Sequence, residues 1–471
     1  MTSTTILSKE SSRKGLLIQS STIVLIAFFT LFFSRCLDTL GAPAPINFLH
    51  FISVPFALYV VATKSRFKSV QQNETVLLLI VGVLALVAII TLSALWNSAG
   101  IINAILSFLL LGEPFLMLMA IMMLPVGTEG LQRLTLWLHR SVFFHLGLAM
   151  VQQYVFKMHT WTGRGLIHGD HIQGVFYKSG AGHVVGASVS LSFGLYYFLN
   201  AKNSALWQRC LVLAVAFWHV LLADAKQVLF CFMVSAVLLL ISKSANVIRA
   251  IQYLVVGSIL GSIFWWCIQN VEAFEAYTVW IRPEIYGPEG NATIAKTMAF
   301  RVLPDYFSSP VNWLVGLGPG HTVGRLGGWM IHEYDSLLSP LGSTIQETNF
   351  AVWVAVGASR KTLHLVQSSS MFSPLFGWAG IWGDLGLLGL ATYLGLGCII
   401  WKFICVNDLS KFFLLNVLVF GLIFTQMEEP AYTVTIGILI GLQWHHKQAE
   451  KKATASNLYP SEDKKTTTLK P

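Results

Sequence analysis

Asp224 and Lys226, in the segment LLADAKQ, lie between two apolar stretches where few ionisable residues occur. An ionisable side chain in such a place is costly and is a candidate for function. The alternative is a lysine that snorkels to the interface or simply pairs with Asp224. Further along, GLGPG carries Gly316, Gly318 and Gly320, with Arg301 before it and His321 and Arg325 after it. Glycine lets a backbone approach a ligand and turn its N–H groups toward an anion. No Gly-Lys-Ser/Thr follows, so the segment is neither a P-loop nor a dinucleotide-binding turn, and a turn that merely re-enters packed helices is the plainer account. Together with Arg164 and Lys178, these cations can surround a diphosphate, because guanidinium donors fork and keep their charge. Any one of them can equally be a solvated loop charge. His168, Asp170 and His171 offer metal-ligand atoms without a clear third partner, so cationic side chains are the simpler charge partners and no cofactor is expected. Asp224, Glu347 and His321 are candidate bases by location alone.

These residues need elements to hold them, and composition says what kind. Hydrophobic residues make up 55% of the chain and charged residues 11%, more apolar surface than a soluble domain of 471 residues could hide. Apolar runs near 15–34, 46–63, 75–96, 99–123, 133–156, 181–200, 208–223, 226–242, 248–269, 375–401, 411–426 and 431–445 have lengths suited to crossing a bilayer as helices, about twelve in all. The 208–223 and 226–242 pair reads as a tight hairpin with Lys226 at its tip. The expected fold is an all-α polytopic membrane protein of GT-C-like kind. It divides into a bundle of nine spans over 1–269, a large and partly helical outward loop over 270–374, three further spans over 375–446, and a disordered cytoplasmic tail over 447–471.

The formal charge of +9 invites a nucleic-acid reading, and its distribution argues against one. Lys9, Arg13 and Lys14 precede the first span, Lys64, Arg66 and Lys68 follow the second, and Lys or Arg recurs at alternate connections thereafter. That alternation fits the positive-inside rule with both termini cytoplasmic. The lipid bilayer, not nucleic acid, is therefore the expected partner. The six cysteines show no paired spacing, which argues against a disulfide framework or zinc site. Glu113-Pro114 in the fourth run predicts a kink with a buried, partnered acid. Trp280, Tyr286, Tyr306, Trp313, Trp329, Tyr334 and Trp353 enrich the loop in rings that can stack on sugar faces or form an interfacial belt.

Four segments, in order, resemble the bacterial O-antigen ligase and O-antigen polymerase superfamily. GVFYKSGAGHVVGA at 174–187 is similar to that family's outward Gly-containing start of a helix. LLADAKQ at 221–227 resembles its LLTxSRG segment, with Lys226 where the family often has Arg. AFRVLPDYFSSPVNWLVGLGPG at 299–320 is similar to its R-x-x-x-W stretch followed by P-L-x-G-x-G-x-G. WGDLGLLGL at 382–390 resembles its E-x-G-L-L-G helix start. The family's ligases carry a His-Asn pair shortly before that last motif; here the stretch is SSSMFSPLFG, so no base carries over. The resemblance implies a membrane glycosyltransferase of the bacterial plasma membrane that polymerises repeats donated by a polyprenyl-diphosphate-linked oligosaccharide, alongside a flippase and a chain-length regulator of the same pathway. Lys226 and Arg301 would then stabilise the departing diphosphate. The alternatives are ligase-type transfer to another acceptor, or a transporter or flippase for lipid-linked sugar. Transporters of that kind usually show two related halves, and no internal repeat is visible.

Overall fold

The structure, a computed structural model, describes residues 20–64, 70–125, 129–161, 168–243, 247–274, 277–278 and 283–458. Among them the regular structure is helical, with no strand. The long helices are α1 (Ser20–Phe32), α2 (His50–Lys64), α3 (Val70–Trp96), α4 (Ile101–Met122), α5 (Glu129–Tyr154), α6 (Gly182–Asn200), α7 (Leu206–Leu222), α8 (Lys226–Ile241) and α9 (Val247–Asn270). A cap follows, built on α10 (Asn291–Val302), α11 (Thr348–Gly357) and α12 (Arg360–Ser368). The chain then returns through α13 (Gly377–Ile399), α14 (Asp408–Phe420) and α15 (Pro430–Leu458).

Among the described residues, six helical segments are long and apolar enough to cross a membrane: Ala44–Lys64, Gln72–Trp96, Ile101–Met122, Glu129–Tyr154, Gly182–Asn200 and Ser370–Ile404. Shorter apolar helices, including α1, α7 and α8, accompany them. α4 and α6 are buried along most of their length and form the centre of the bundle. α4 packs on α2, α3 and α15, α6 on α7, α3 on α13, and α8 on α14. α9 instead exposes Ile251, Leu254, Ile259 and Trp266. A helix that is apolar on its outward face is at home in hydrocarbon, where such surface carries no hydration cost.

Over the described residues the expected apolar runs are largely helical, with ends that shift by local chemistry. The run expected over 411–426 stops at Phe420, where a turn with Phe424 at φ +49° takes over. The last helix does not end near 445: it continues to Leu458, through residues expected to be a disordered tail. The α7–α8 hairpin is as expected, with Asp224 at φ +49° closing the turn.

One end of the bundle gathers against the cap. Asn103 at the start of α4 donates to the carbonyls of Pro319 (3.0 Å) and Thr344 (2.9 Å). Asn97, just past α3, donates to Gly316 O and accepts from Asn312. α13 is interrupted at Gly386 (φ +64°), where the backbone of Leu314 presses close enough that a Cβ would lie 2.4 Å from it. Only glycine combines that φ with that approach. Gly386→Val should therefore lose on the order of 2–4 kcal/mol of stability. A melting temperature in detergent equal to that of the parent protein would contradict this packing.

Candidate functional site

The glycine turn sets the position of the groups around it. Gly316, Gly318 and Gly320 all have positive φ, which lets the chain fold tightly against α13. Its amides are already engaged. Leu317 N–H donates to Gly383 O and Gly318 N–H to Asp384 O. Gly320 N–H reaches Asp384 Oδ2 at 2.8 Å, and Thr322 N–H reaches Asp384 Oδ1 at 2.9 Å. The Thr322 hydroxyl donates to the same carboxylate at 2.6 Å. The turn thus receives its anion from the protein itself, and these amides are not open to a diphosphate. Gly324 meets Gly380 backbone to backbone, which brings the turn flush onto α13.

The chain leaving this turn delivers Arg325 into a buried position, 5% exposed. Its N–H donates to Glu428 Oε2 at 2.8 Å and its guanidinium pairs with Glu429. Its charged group also lies over the Trp329 ring, 4.9 Å from the centroid. Arg35, just after α1, approaches the same ring at 5.8 Å and donates to the Tyr334 hydroxyl at 2.8 Å. Asn47 donates to that hydroxyl at 3.3 Å and to Asp38 at 3.0 Å, and Asp38 lies 3.8 Å from Arg35. Arg35, Asn47, Arg325, Trp329 and Tyr334 line one pocket with His50, Phe48, Phe176 and Glu429. Its walls come from the ends of α1, α2 and α15, from the segment before α6, and from the cap.

Beneath this pocket His50, the first residue of α2, places Nδ1 2.9 Å from both carboxylate oxygens of Glu113. Glu113 is fully buried in α4. The sequence expectation of a buried, partnered acid at this position is met by a histidine from another helix. Arginine, histidine and carboxylate side chains converge here with aromatic walls, and forked guanidinium donors are suited to anionic oxygens.

The other expected site residues lie elsewhere. Lys226 is half-buried at the start of α8 and pairs with Asp224, and its carbonyl accepts from the Tyr277 hydroxyl at 2.7 Å. Arg301 is exposed at the end of α10. Neither Lys226 nor Arg301 lines the arginine pocket. Lys178 is half-buried in a left-handed turn, two residues past Phe176 of the pocket wall. Arg164 and Trp280 lie outside the described residues. His321 bonds through Nδ1 to Leu317 O (2.9 Å) and through Nε2 to the Thr344 hydroxyl (2.7 Å), so neither ring nitrogen is free to take a proton from a substrate. Its burial also lowers its pKa. Glu347 is exposed at the start of α11.

Reasoning from sequence missed Arg35, His50 and Glu429. The signals were Arg35 at the end of a first apolar run, where the expected orientation and the positive-inside rule disfavour a cation, and Glu428-Glu429-Pro430 opening the last one. No protein-family profile, curated protein or solved structure matches the chain.

Burial pushes the Glu428 carboxyl from its ordinary 4.5 up to about 8, against the pull of the Arg325 N–H. Among the described residues its Oε1 has no hydrogen-bond partner. The folded chain therefore keeps a proton that the unfolded chain releases near 4.5, so stability falls as pH rises from about 4.5 to about 8. Glu428→Gln should weaken that fall. Thermal melts across this range test it; parallel pH dependence in the two proteins would refute the assignment.

Proposed function

We propose that this chain is a membrane glycosyltransferase that polymerises lipid-diphosphate-linked oligosaccharide repeats into exopolysaccharide, capsule or O-antigen on the extracytoplasmic side of a bacterial plasma membrane. In this reading α1–α9 and α13–α15 all span the bilayer in a GT-C-like bundle, both termini are cytoplasmic, and the cap lies outside. The observation that carries the proposal is the approach of both Arg35 and Arg325 to the Trp329 ring, in a polar pocket at the cap end of apolar helices. The family-like order of the segments at 174–187, 221–227, 299–320 and 382–390 supports the same donor class.

The chemistry follows from charge. A hydroxyl of one repeat attacks the anomeric carbon of another, and the bond to the lipid diphosphate breaks. Negative charge grows on the leaving phosphate oxygens, so fixed cations stabilise the transition state more than the ground state. Each guanidinium has five N–H donors. Glu429 holds Arg325, and Asp38 and Tyr334 hold Arg35, leaving other donors for phosphate. The pairs set the forks in place before the donor arrives, which avoids reorganisation during reaction. Trp329, Tyr334 and Phe48 supply ring faces for sugar. Inversion at the anomeric carbon follows from a single displacement.

Purified protein supplied with lipid-linked repeats should yield a ladder of lengths on lipid diphosphate. Arg325→Ala and Arg35→Ala should each lower the rate on the order of 100- to 1,000-fold. Arg325→Lys should not restore it, because an ammonium cannot fork. Lys226→Ala should lower the rate less, since that amine is held by Asp224 outside the pocket. Glycan on a different acceptor would assign ligase-type transfer instead, and lipid movement without covalent change would sink the proposal.

A further inference from the structure

We infer that His50 is the catalytic residue that accepts the proton of the attacking hydroxyl, and that Glu113 is its positioning residue. This rests on the glycosyltransferase reading above and adds the base which that reading lacks. The geometry is that of a histidine–carboxylate dyad. A carboxylate only accepts, so His50 Nδ1, at 2.9 Å from both oxygens, must carry the hydrogen between them. In the neutral imidazole Nε2 is then the acceptor, and His50 borders the pocket that contains Arg35 and Arg325. Among the described residues Nε2 has no hydrogen-bond partner.

The neighbouring groups are each engaged by Arg325, Arg35 or the cap. The Tyr334 hydroxyl already receives Arg35 and Asn47. Glu429 is paired with Arg325. Glu428 accepts the Arg325 N–H, and both nitrogens of His321 are occupied. Of the titratable groups lining the pocket, His50 presents an open ring nitrogen whose opposite nitrogen is held by a buried carboxylate. The location of its partner also has a physical reason. Glu113 is fully buried, and a lone buried carboxylate is costly unless a proton or cation faces it. The imidazolium formed when His50 takes a proton faces that acid through the same Nδ1 hydrogen bond.

Atoms and electrons balance within one displacement. The acceptor oxygen forms its bond to the anomeric carbon while its proton passes to Nε2. The anomeric carbon–oxygen bond to the diphosphate breaks, and its electron pair leaves with the phosphate oxygen beside Arg35 and Arg325. Water then returns the imidazolium to the neutral form.

The test uses the full-length protein with lipid-linked repeats. His50→Gln, which retains a donor toward Glu113, should lower kcat on the order of 100- to 10,000-fold while donor KM holds. Added imidazoles should rescue His50→Ala, with rates that follow their basicity and not their size. The double variant His50→Phe with Glu113→Leu replaces the pair by apolar side chains, so it should fold and still be inactive. Full activity in His50→Gln or in the double variant would overturn the inference and leave the glycosyltransferase reading intact. A wild-type chain with no transfer activity would overturn both.

Discussion

Two carboxylates from the helix bundle hold the amides of the cap's glycine turn, and the rest of the site depends on that attachment. A buried N–H must find an acceptor or cost its desolvation. Asp384 serves Gly320 and Thr322, and Glu428 serves Arg325. They fix where the chain leaves the turn, and the next side chain is the guanidinium that meets Glu429 and Trp329. Glycines do the complementary steric work: Gly324 against Gly380, and Gly316 against the Asp384 backbone, allow an approach that any Cβ would block.

The pocket beyond the turn gathers residues far apart in the chain. Arg35, His50, Glu113, Arg325 and Glu429 come from the ends or interiors of separate helices and from the cap. Each cation there already has an acidic or phenolic partner. Such pairing keeps a charged cavity from being an open electrostatic liability and holds each group in one geometry. Two unlike chemistries share this cavity: forked donors suited to phosphate, and a histidine backed by a buried acid.

Much of the fold was legible because apolar length is a strong signal. Runs such as 75–96 and 99–123 can hardly be anything but helices, and they are. The polar continuation of α15 to Leu458 was not legible, since a Lys-rich segment reads as solvated chain until a preceding helix extends it. The site was legible only in part. Arg325 stood out beside a glycine turn. The turn's donors were recognisable too, but not that Asp384, more than sixty positions on, would fill them. His50 and Glu113 are single polar residues in separate apolar runs, and only tertiary packing places one ring against one carboxylate. Lys226 drew notice for a true reason, its place at a hairpin tip, yet proximity to Asp224 accounts for its partner.

The walls of the pocket span the chain from Leu31 to Ala431, and this has a bearing on biogenesis. A ribosome must emit nearly the whole polypeptide before the last wall exists, so the pocket is complete only once α15 packs beside α4. A product shortened ahead of Glu429 would leave the guanidinium of Arg325 facing a missing counter-charge.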